Sequence, residues 1–415
     1  MDKDNLLVAL DVGSSKVAVI AAELSPEGVV KICGIGSARS EGIRNGVVVD
    51  IGGAVRSIRA AIDEAERTSG FHIEEAYTIC EDHRMRFVNH SGATPVREPE
   101  IAQGDLDSAV TNAKEVPLKD SEQVLKMVIQ QYLVDGEGGI LNPIGMMGNR
   151  LEASVHLICG LPTTATNLLR CVRRSGVEVK HWTVGAWASA LAVLTPSERS
   201  LGVCLMDFGA GTIDITVHIN NVVWFTAIIP VGGDTVTKDI AAVFQLNEEE
   251  AEHIKLKFGS ADPSQFTGAD VVDLTDIRRG NPADGEIEVI AQEKLAEVEE
   301  ARLREMLKLA REWLQYSKFD QRIPSGIVFT GGVTETDGFL KLAEEVFEQP
   351  CRLGAPDVGQ ALGGAVNSPA WSAAIGLLKE AAHDAQREDH SGEHGKKGLG
   401  RGMLSAVRRW FVGSY

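Results

Sequence analysis

Two short stretches carry residue types able to hold a polyphosphate. The first is Asp11-Val12-Gly13-Ser14-Ser15-Lys16, and the second is Asp207-Phe208-Gly209-Ala210-Gly211-Thr212. Glycine permits positive φ and removes the side chain, so successive backbone N–H groups can converge on an anion. The aspartate that opens each stretch stands where a hydrated cation would balance phosphate charge. Either stretch alone reads as an ordinary hairpin with a glycine turn. Asp11 aligns with Asp207, Gly13 with Gly209, Ser15 with Gly211 and Lys16 with Thr212. Two copies of one turn, nearly half the chain apart, are an internal repeat. They point to a duplicated fold gripping a polyphosphate from both sides.

The elements around the turns fit that reading. Apolar runs Leu6 to Leu10 and Leu201 to Met206 lead in, and alternating runs (Val17, Val19, Ala21; Ile213, Ile215, Val217, Ile219) lead out. Each set reads as strand, tight turn, strand. Further strands are expected at 32–38, 46–50 and 76–80, and an amphipathic helix over 54–69, ended by Gly70. Residues 84–150 have polar strands, a helix over 106–114 begun by Asp105, and a Gly- and Pro-rich segment over 135–149. They read as an inserted small α+β subdomain. The main sheet is expected to resume at 153–159, followed by helices over 164–175 and 181–194, the latter rich in small residues. In the second half a strand is expected over 222–231, with a helix starting at Gly232-Gly233-Asp234. Another helix is capped by Asn247, and a long charged one runs from 286 to 315. A strand over 327–329 ends in Thr330-Gly331-Gly332. Helices follow at 338–348 and 370–382, the last again rich in small residues.

The chain has 415 residues, 44% of them hydrophobic, with a net charge of −18. That length implies two to four domains, and the acidic balance argues against a general nucleic-acid binder. Six scattered cysteines without a CxxC pair fit buried thiols in a reducing compartment. The polar start Met-Asp-Lys-Asp-Asn is no signal peptide, and no apolar run approaches the ~20 residues needed to span a bilayer.

Residues 383–398 lose apolar periodicity and read as a flexible linker. In the segment 399–415, Leu399, Met403, Leu404, Val407, Trp410 and Phe411 fall on one helical face, and Arg401, Ser405, Arg408 and Arg409 on the other. No acidic residue follows Glu393. This face is too short to span and should lie in a membrane interface. Its arginines, with Lys396 and Lys397, would favour anionic lipid by roughly 1 kcal/mol per basic residue near the surface.

Together, Asp11–Lys16, Asp207–Thr212 and Thr330-Gly331-Gly332 resemble the actin-like ATPase superfamily, an α/β fold of two duplicated lobes around a nucleotide cleft. Finer motifs resemble the FtsA family of bacterial cell-division proteins: Val134-Asp135-Gly136, Asn142-Pro143-Ile144-Gly145-Met146, Arg150-Leu151-Glu152 and Val155-His156 in the insertion. Gly232-Gly233 with Thr237, Asp239-Ile240-Ala241, Ala251-Glu252 with Ile254-Lys255, and Arg302-Leu303-Arg304-Glu305 extend the match to the second half. The sequence departs from the family at Ala210, where a third glycine is usual, and at Cys80-Glu81-Asp82-His83, where the turn is usually richer in Gly and Ser.

The resemblance implies subdomain IA at 1–83 with 163–195 and 369–383, and the inserted subdomain IC at 84–162. It implies IIA at 196–235 with 313–368 and IIB at 236–312, then a linker at 384–397 and an amphipathic membrane-targeting helix at 398–415. It implies ATP with Mg²⁺ in the cleft. Amides of Gly13, Ser14, Ser15, Gly209, Ala210, Gly211 and Thr212 would hold phosphates and Lys16 would neutralise them. Asp11 and Asp207 would hold Mg²⁺ through water, as suits a metal that dehydrates reluctantly. The helix start at Gly233-Asp234 would add amides; Glu252 and Lys255 would meet the ribose, unless they are only a surface ion pair. Gly331 and Gly332 would lie under adenine. Enzymes that turn ATP over place an acid, Gln or His to orient the attacking water, in several relatives at the start of the hinge helix. Here that region, Thr183 to Ser189, holds no acid, so the expectation is a nucleotide switch with at most weak ATPase activity.

By resemblance the protein would polymerise and tether filaments of FtsZ, the tubulin-like division protein, to the cytoplasmic face of the inner membrane at the septum. The FtsZ tail would meet Arg302 and Glu305, and later division proteins the insertion. The rival readings lack supporting motifs. A sugar kinase needs a catalytic Asp base and gives no reason for the basic tail, and a chaperone ATPase needs a β-rich peptide-binding domain after the core. An MreB-like cell-shape actin lacks this insertion and a C-terminal tail.

Overall fold

The computed structural model describes residues 5–26, 28–274, 277, 289–358 and 364–393. The chain starts with a hairpin of β1 (Leu6–Val12) and β2 (Lys16–Leu24), extended by β3 (Val30–Arg39). A two-residue ladder, β4 (Ile43–Arg44) with β5 (Val47–Val48), leads to α1 (Ile51–Ser69). The strand expected over 46–50 shrinks to β5 because Asp50 caps α1 instead. Its carboxylate accepts from the Gly52 and Gly53 amides at 2.9 and 3.1 Å. Gly70, at φ 76°, closes the helix as read from the sequence. The strand β6 (Glu75–Ile79) then pairs parallel to β1.

The insertion follows as β7 (Arg86–Pro95), α2 (Gln103–Ala113), β8 (Gln123–Val134), β9 (Glu137–Ile140) and β10 (Arg150–Gly160). Its sheet has the order β7-β10-β8-β9, all antiparallel. Residues 153–159 therefore belong to a central strand of the insertion, not to the main sheet: β10 alternates between α2 and the opposite face and pairs on both edges. Helix α2 starts three residues early. Ala102 has no side-chain acceptor, and Asp105, one turn inside, reaches back to the Ala102 amide at 2.9 Å.

The chain returns through α3 (Pro162–Arg174), β11 (Glu178–Thr183), α4 (Gly185–Val193) and α5 (Pro196–Leu201). The small-residue helix thus begins at Gly185, because 178–183 pairs parallel with β6 as a strand. The second lobe opens with β12 (Val203–Phe208), β13 (Ile213–Ile219) and β14 (Val222–Ile229), then α6 (Gly233–Phe244) and α7 (Glu248–Phe258). Asn247 caps α7 as expected, accepting from Glu250 N–H at 2.9 Å. A ladder of β15 (Val271–Asp273) with β16 (Val289–Ala291) precedes α8 (Gln292–Ser317). The long helix therefore starts later than residue 286. Then come β17 (Ile327–Thr330), α9 (Phe339–Phe347), β18 (Cys351–Leu353) and α10 (Ser372–Glu393). Because α10 continues to Glu393, residues 384–393 are helix rather than linker; residues 394–415, the expected membrane helix included, lie outside the described residues.

The two main sheets repeat one topology: β11-β6-β1-β2-β3 in the first lobe and β18-β17-β12-β13-β14 in the second. In each, the hairpin is antiparallel and the two strands beyond it are parallel. The duplication read from two turns thus extends to five strands per lobe. Helices α4 and α10 pack between the sheets, with a buried core of Ala188, Ala190, Ala374, Ile375 and Leu378. Among the described residues no helix is long and apolar enough to cross a membrane, and all six cysteines are free.

A buried polar network holds the insertion against β14 and α4. His156 donates through Nδ1 to Asn89 Oδ1 (2.6 Å), and its Nε2 accepts from Thr226 Oγ1 (3.0 Å). Trp187 Nε1 also donates to Thr226 (3.0 Å), and Gln130 bridges Asn89 and the Val223 carbonyl. Burial pushes the His156 imidazole down to about 3, so it stays neutral and can both give and accept.

Candidate functional site

Between the lobes lies a cavity of about 590 Å³, within the range of small-ligand sites. It is lined by Asp11, Gly13, Ser14, Ser15 and Lys16 from the first hairpin and by Asp207, Gly209, Ala210, Gly211 and Thr212 from the second. Gly233, Glu252, Lys255, Gly331 and Gly332 join them. The structure therefore brings together all of these candidates. Both turns close alike: Gly13 N–H donates to Lys16 O at 3.0 Å and Gly209 N–H to Thr212 O at 2.9 Å. Those two amides are thereby engaged inside the turns. Ser14, Ser15, Ala210 and Gly211 form the tips of the two turns.

Several glycines are required by close approach. A Cβ on Gly211 would stand 2.5 Å from Ser14 Oγ, so the two turns touch there. Gly331 has φ 91°, and a Cβ there would fall 2.2 Å from Asp207 Oδ1. Ala210 is tolerated in place of a third glycine, and its carbonyl accepts from Asp234 N–H at 2.8 Å, while Gly209 O accepts from Gly233 N–H at 3.0 Å. This corrects one expectation: the amides of Gly233 and Asp234 brace the second hairpin and are not directed at a ligand.

Glu252 and Lys255 are both an ion pair and part of the cleft wall. Lys255 Nζ lies 2.6 Å from Glu252 Oε2 and donates to Thr237 Oγ1 (2.8 Å) and the Gly233 carbonyl (3.3 Å). Lys16 Nζ sits 4.0 Å over the ring of Trp371, just before α10. Burial lowers its pKa, opposed by Asp11 and Glu335.

Sequence reasoning missed three acids lining this cleft, Glu81, Asp214 and Glu335, and the buried hydroxyl of Ser189 behind it. Asp214 is 6% exposed; one oxygen accepts from Thr212 Oγ1 at 3.0 Å, and Oδ1 has no hydrogen-bond partner. Its signal was an acid inside an alternating apolar strand whose two faces are both buried. Ser189 Oγ donates to Asp207 Oδ2 at 2.5 Å. Glu81 follows β6 and its Oε1 accepts from the Gly185 amide at the start of α4. As read from the sequence, the hinge helix α4 carries no acid of its own; Glu81, in the loop after β6, brings one to its start.

Burial raises Asp11 and Asp207 to about 6 and Glu81 to about 8, and it lifts Asp214 well above the usual carboxylate range. Neighbouring carboxylates add to the rise in Asp11, Glu81 and Asp214. Such a set gains by meeting a cation. Among the described residues no three His, Cys, Asp or Glu side chains converge as direct metal ligands. The orphaned Asp214 oxygen, the turns with no room for a Cβ and the acid set fit a nucleotide with a hydrated divalent cation.

A family pattern described as "Cell division protein FtsA" matches residues 204–376, and another, "SHS2 domain inserted in FTSA", matches 83–159. The chain is 34% identical over 414 residues to the Cell division protein FtsA of Pseudomonas aeruginosa, covering 99% of this chain and 98% of that one. It is 35% identical over 380 residues to that of Escherichia coli strain K12, covering 90% and 89%. The chain belongs to the FtsA family of cell-division proteins. Solved structures agree on an actin-like ATPase fold. A type IV pilus PilM–PilN complex matches with a TM-score of 0.63 at 14% identity, over 91% of this chain and 98% of that one. An MreB of Spiroplasma citri bound to ADP matches with 0.50 at 12%, over 94% and 99%.

The FtsA-type insertion matched at 83–159 includes the sheet β7-β10-β8-β9. On α8, the candidate partner residues are already paired. Arg302 makes a two-pronged contact with Asp239 of α6, with Nη2 3.1 Å from Oδ1, and reaches Glu305 at 2.6 Å. The candidate membrane residues Leu399 to Phe411 lie outside the described residues.

Proposed function

We propose that this FtsA-family chain binds ATP with Mg²⁺ between its two hairpins, polymerises at the cytoplasmic membrane, tethers FtsZ filaments there and recruits later division proteins. One observation carries the nucleotide reading: two turns of one design, from lobes of one topology, meet at Gly211 and Ser14 over a set of buried acids. Asp11 and Asp207 would hold Mg²⁺ through water, with Asp214 beside them. Mg²⁺ would neutralise phosphate and carboxylate charge together. Lys16 would leave the Trp371 face to meet phosphate, and Glu252 with Lys255 would meet the ribose while Gly331 and Gly332 pass under adenine. Family membership supports the cell-division role, with Arg302 and Glu305 as contacts for the FtsZ tail. The basic amphipathic pattern of 399–415 supports a peripheral place on anionic lipid.

The test is flotation of the full chain with anionic liposomes, an FtsZ C-terminal peptide and ATP. Wild type should float and carry the peptide with it. Trp410→Glu should stay in the dense fraction while still binding ATP and peptide. Equal flotation of the two would remove the membrane claim, and no peptide in the floating fraction would remove the tether.

A further inference from the structure

We propose that Lys126, His181 and Glu380 form a proton-operated latch between the insertion and α10, the helix that runs on toward the C-terminal segment. None of the three lines the nucleotide cleft, and the latch does not rest on the function proposed above.

Three elements meet at one imidazole. His181 stands on β11, an edge strand of the first sheet. The pairing of β11 with β6 shifts register between Val179 and His181. A bulge of this kind re-aims the side chains beside it. Lys180 pairs with Glu75 at 3.4 Å, while His181 meets the insertion and α10. From β8 of the insertion, Lys126 Nζ comes 3.1 Å from His181 Nε2 and donates to the Trp182 carbonyl at 2.5 Å. From α10, Glu380 Oε1 lies 3.5 Å from the same Nε2.

Both neighbours claim one ring nitrogen, and it serves only one of them at a time. In the neutral ring the lone pair on Nε2 accepts from the Lys126 ammonium, and Nε2 then has no proton for Glu380. In the imidazolium Nε2 is a donor. It turns to the Glu380 carboxylate, and a second positive charge faces Lys126 across 3.1 Å. Glu380 is ready for that state, because its Oε2 is buried and has no hydrogen-bond partner. A buried carboxylate oxygen so placed gains from a donor brought nearer. Burial already lowers the Lys126 ammonium to about 8, so a second charge beside it is costly.

Other titratable groups surround the ring among the described residues. The Tyr77 ring of β6 tilts against it at 5.7 Å, and burial pushes the Cys80 thiol, just after β6, up to about 12, so that thiol stays neutral. On α10, burial raises Asp384 and lowers His383, with Arg387 beside them. One proton added at His181 therefore loosens β8 from β11 and draws β11 toward α10.

Histidine is the side chain that takes up a proton between pH 8 and 5. Hydrogen exchange of the full-length protein at pH 7.5 and pH 6.0 reads the latch. After correction for the intrinsic pH dependence of exchange, amides at the start of β8 should exchange about tenfold faster at pH 6.0, the loss of one hydrogen bond from a charged donor. His181→Gln decides the matter. Its amide oxygen takes the Lys126 bond, its NH2 gives one to Glu380, and it has no proton to gain. This variant should protect β8 equally at both pH values. Glu380→Gln removes the carboxylate that draws the imidazolium, and should shrink the change to about threefold or less. His90→Gln, elsewhere in the insertion, should keep the full response. No response at β8 in wild type, or an equal response in wild type and His181→Gln, overturns the proposal. Should His181→Gln melt early, Lys126→Met serves. Without the ammonium, the start of β8 should exchange fast at both pH values, and a response like that of wild type sinks the latch.

Discussion

Gly211 on the second hairpin lies against Ser14 on the first, with 2.5 Å between Ser14 Oγ and the place a Cβ on Gly211 would occupy. The Asn45 Cα backs the same spot at 3.1 Å. The turns therefore touch only because position 211 lacks a side chain. Gly211→Ala must turn Ser14 aside and part the hairpins by some tenths of an ångström, which would misplace the amides proposed to face one phosphate group. We expect ATP affinity to fall by about tenfold or more while the melting temperature barely moves. Adding Ser14→Gly should restore part of the loss. Titration with a fluorescent ATP analogue decides, and an unchanged affinity in Gly211→Ala would show that the turns do not share a ligand.

The crowded acids give the protein without ligand a pH dependence of definite sign. In the unfolded chain these carboxyls lose their protons near pH 4. In the folded chain Asp11 and Asp207 keep theirs to about 6, Glu81 to about 8, and Asp214 well above its usual value. Between those limits the folded state holds more protons, so this contribution to stability is full below pH 4 and is lost as pH rises through 6 to 8. Asp214→Asn removes a carboxyl whose proton the folded chain holds more tightly than the unfolded one, and should raise ligand-free stability at pH 8. It should also flatten the fall between pH 5.5 and 8, and weaken Mg²⁺-dependent ATP binding. Thermal melts at the two pH values test this. A variant less stable than wild type at pH 8 contradicts it.

What the sequence made legible was local. The hairpins, the Gly70 stop and the Asn247 cap follow from glycine conformation and short hydrogen bonds within a few residues. The lobe topology followed because one turn occurs twice. Glu81 escaped notice because its partner, the Gly185 amide, is 104 residues away. Reading the hinge helix by its own residues could not find an acid delivered by the adjacent strand. Strand β10 was misassigned for a related reason: its apolar run suits either sheet, and only pairing with β7 and β8 decides. The Gly233 and Asp234 amides were misjudged since a helix start looks free in sequence, whereas the carbonyls of Gly209 and Ala210 take them up.

Helices α4 and α10 cross where Gly376 meets Ala188. A Cβ on Gly376 would fall 1.6 Å from the Ala188 carbonyl oxygen. On an exposed helix face, replacing glycine by alanine usually stabilises by about 1 kcal/mol. Here the sign should reverse. Gly376→Ala forces the helices apart and should cost about 2 kcal/mol or more, and Gly376→Val still more. Both helices also reach the cleft, through Ser189 to Asp207 and through Ser372 to Thr330 at 2.6 Å. ATP affinity should therefore fall along with stability. A rise in melting temperature for Gly376→Ala would show that the helices can separate freely.

Arg302 offers a separate handle on the α8 surface, because it is held by Asp239 and Glu305 and is only partly exposed. If the FtsZ tail is met by Arg302, the peptide must compete with Asp239 for the guanidinium. Asp239→Asn weakens the internal competitor and should tighten peptide binding by roughly threefold to tenfold, equivalent to about 1 kcal/mol of pair energy released. Arg302→Ala should weaken it by about tenfold or more, leaving Asp239 without its partner. Neither change should alter ATP affinity, since Arg302 does not line the cleft. Peptide titrations by fluorescence anisotropy at two salt concentrations separate the outcomes. Opposite shifts in the two variants place the contact at Arg302, whereas equal weakening would mean that the Asp239–Arg302 pair only holds α8 against α6.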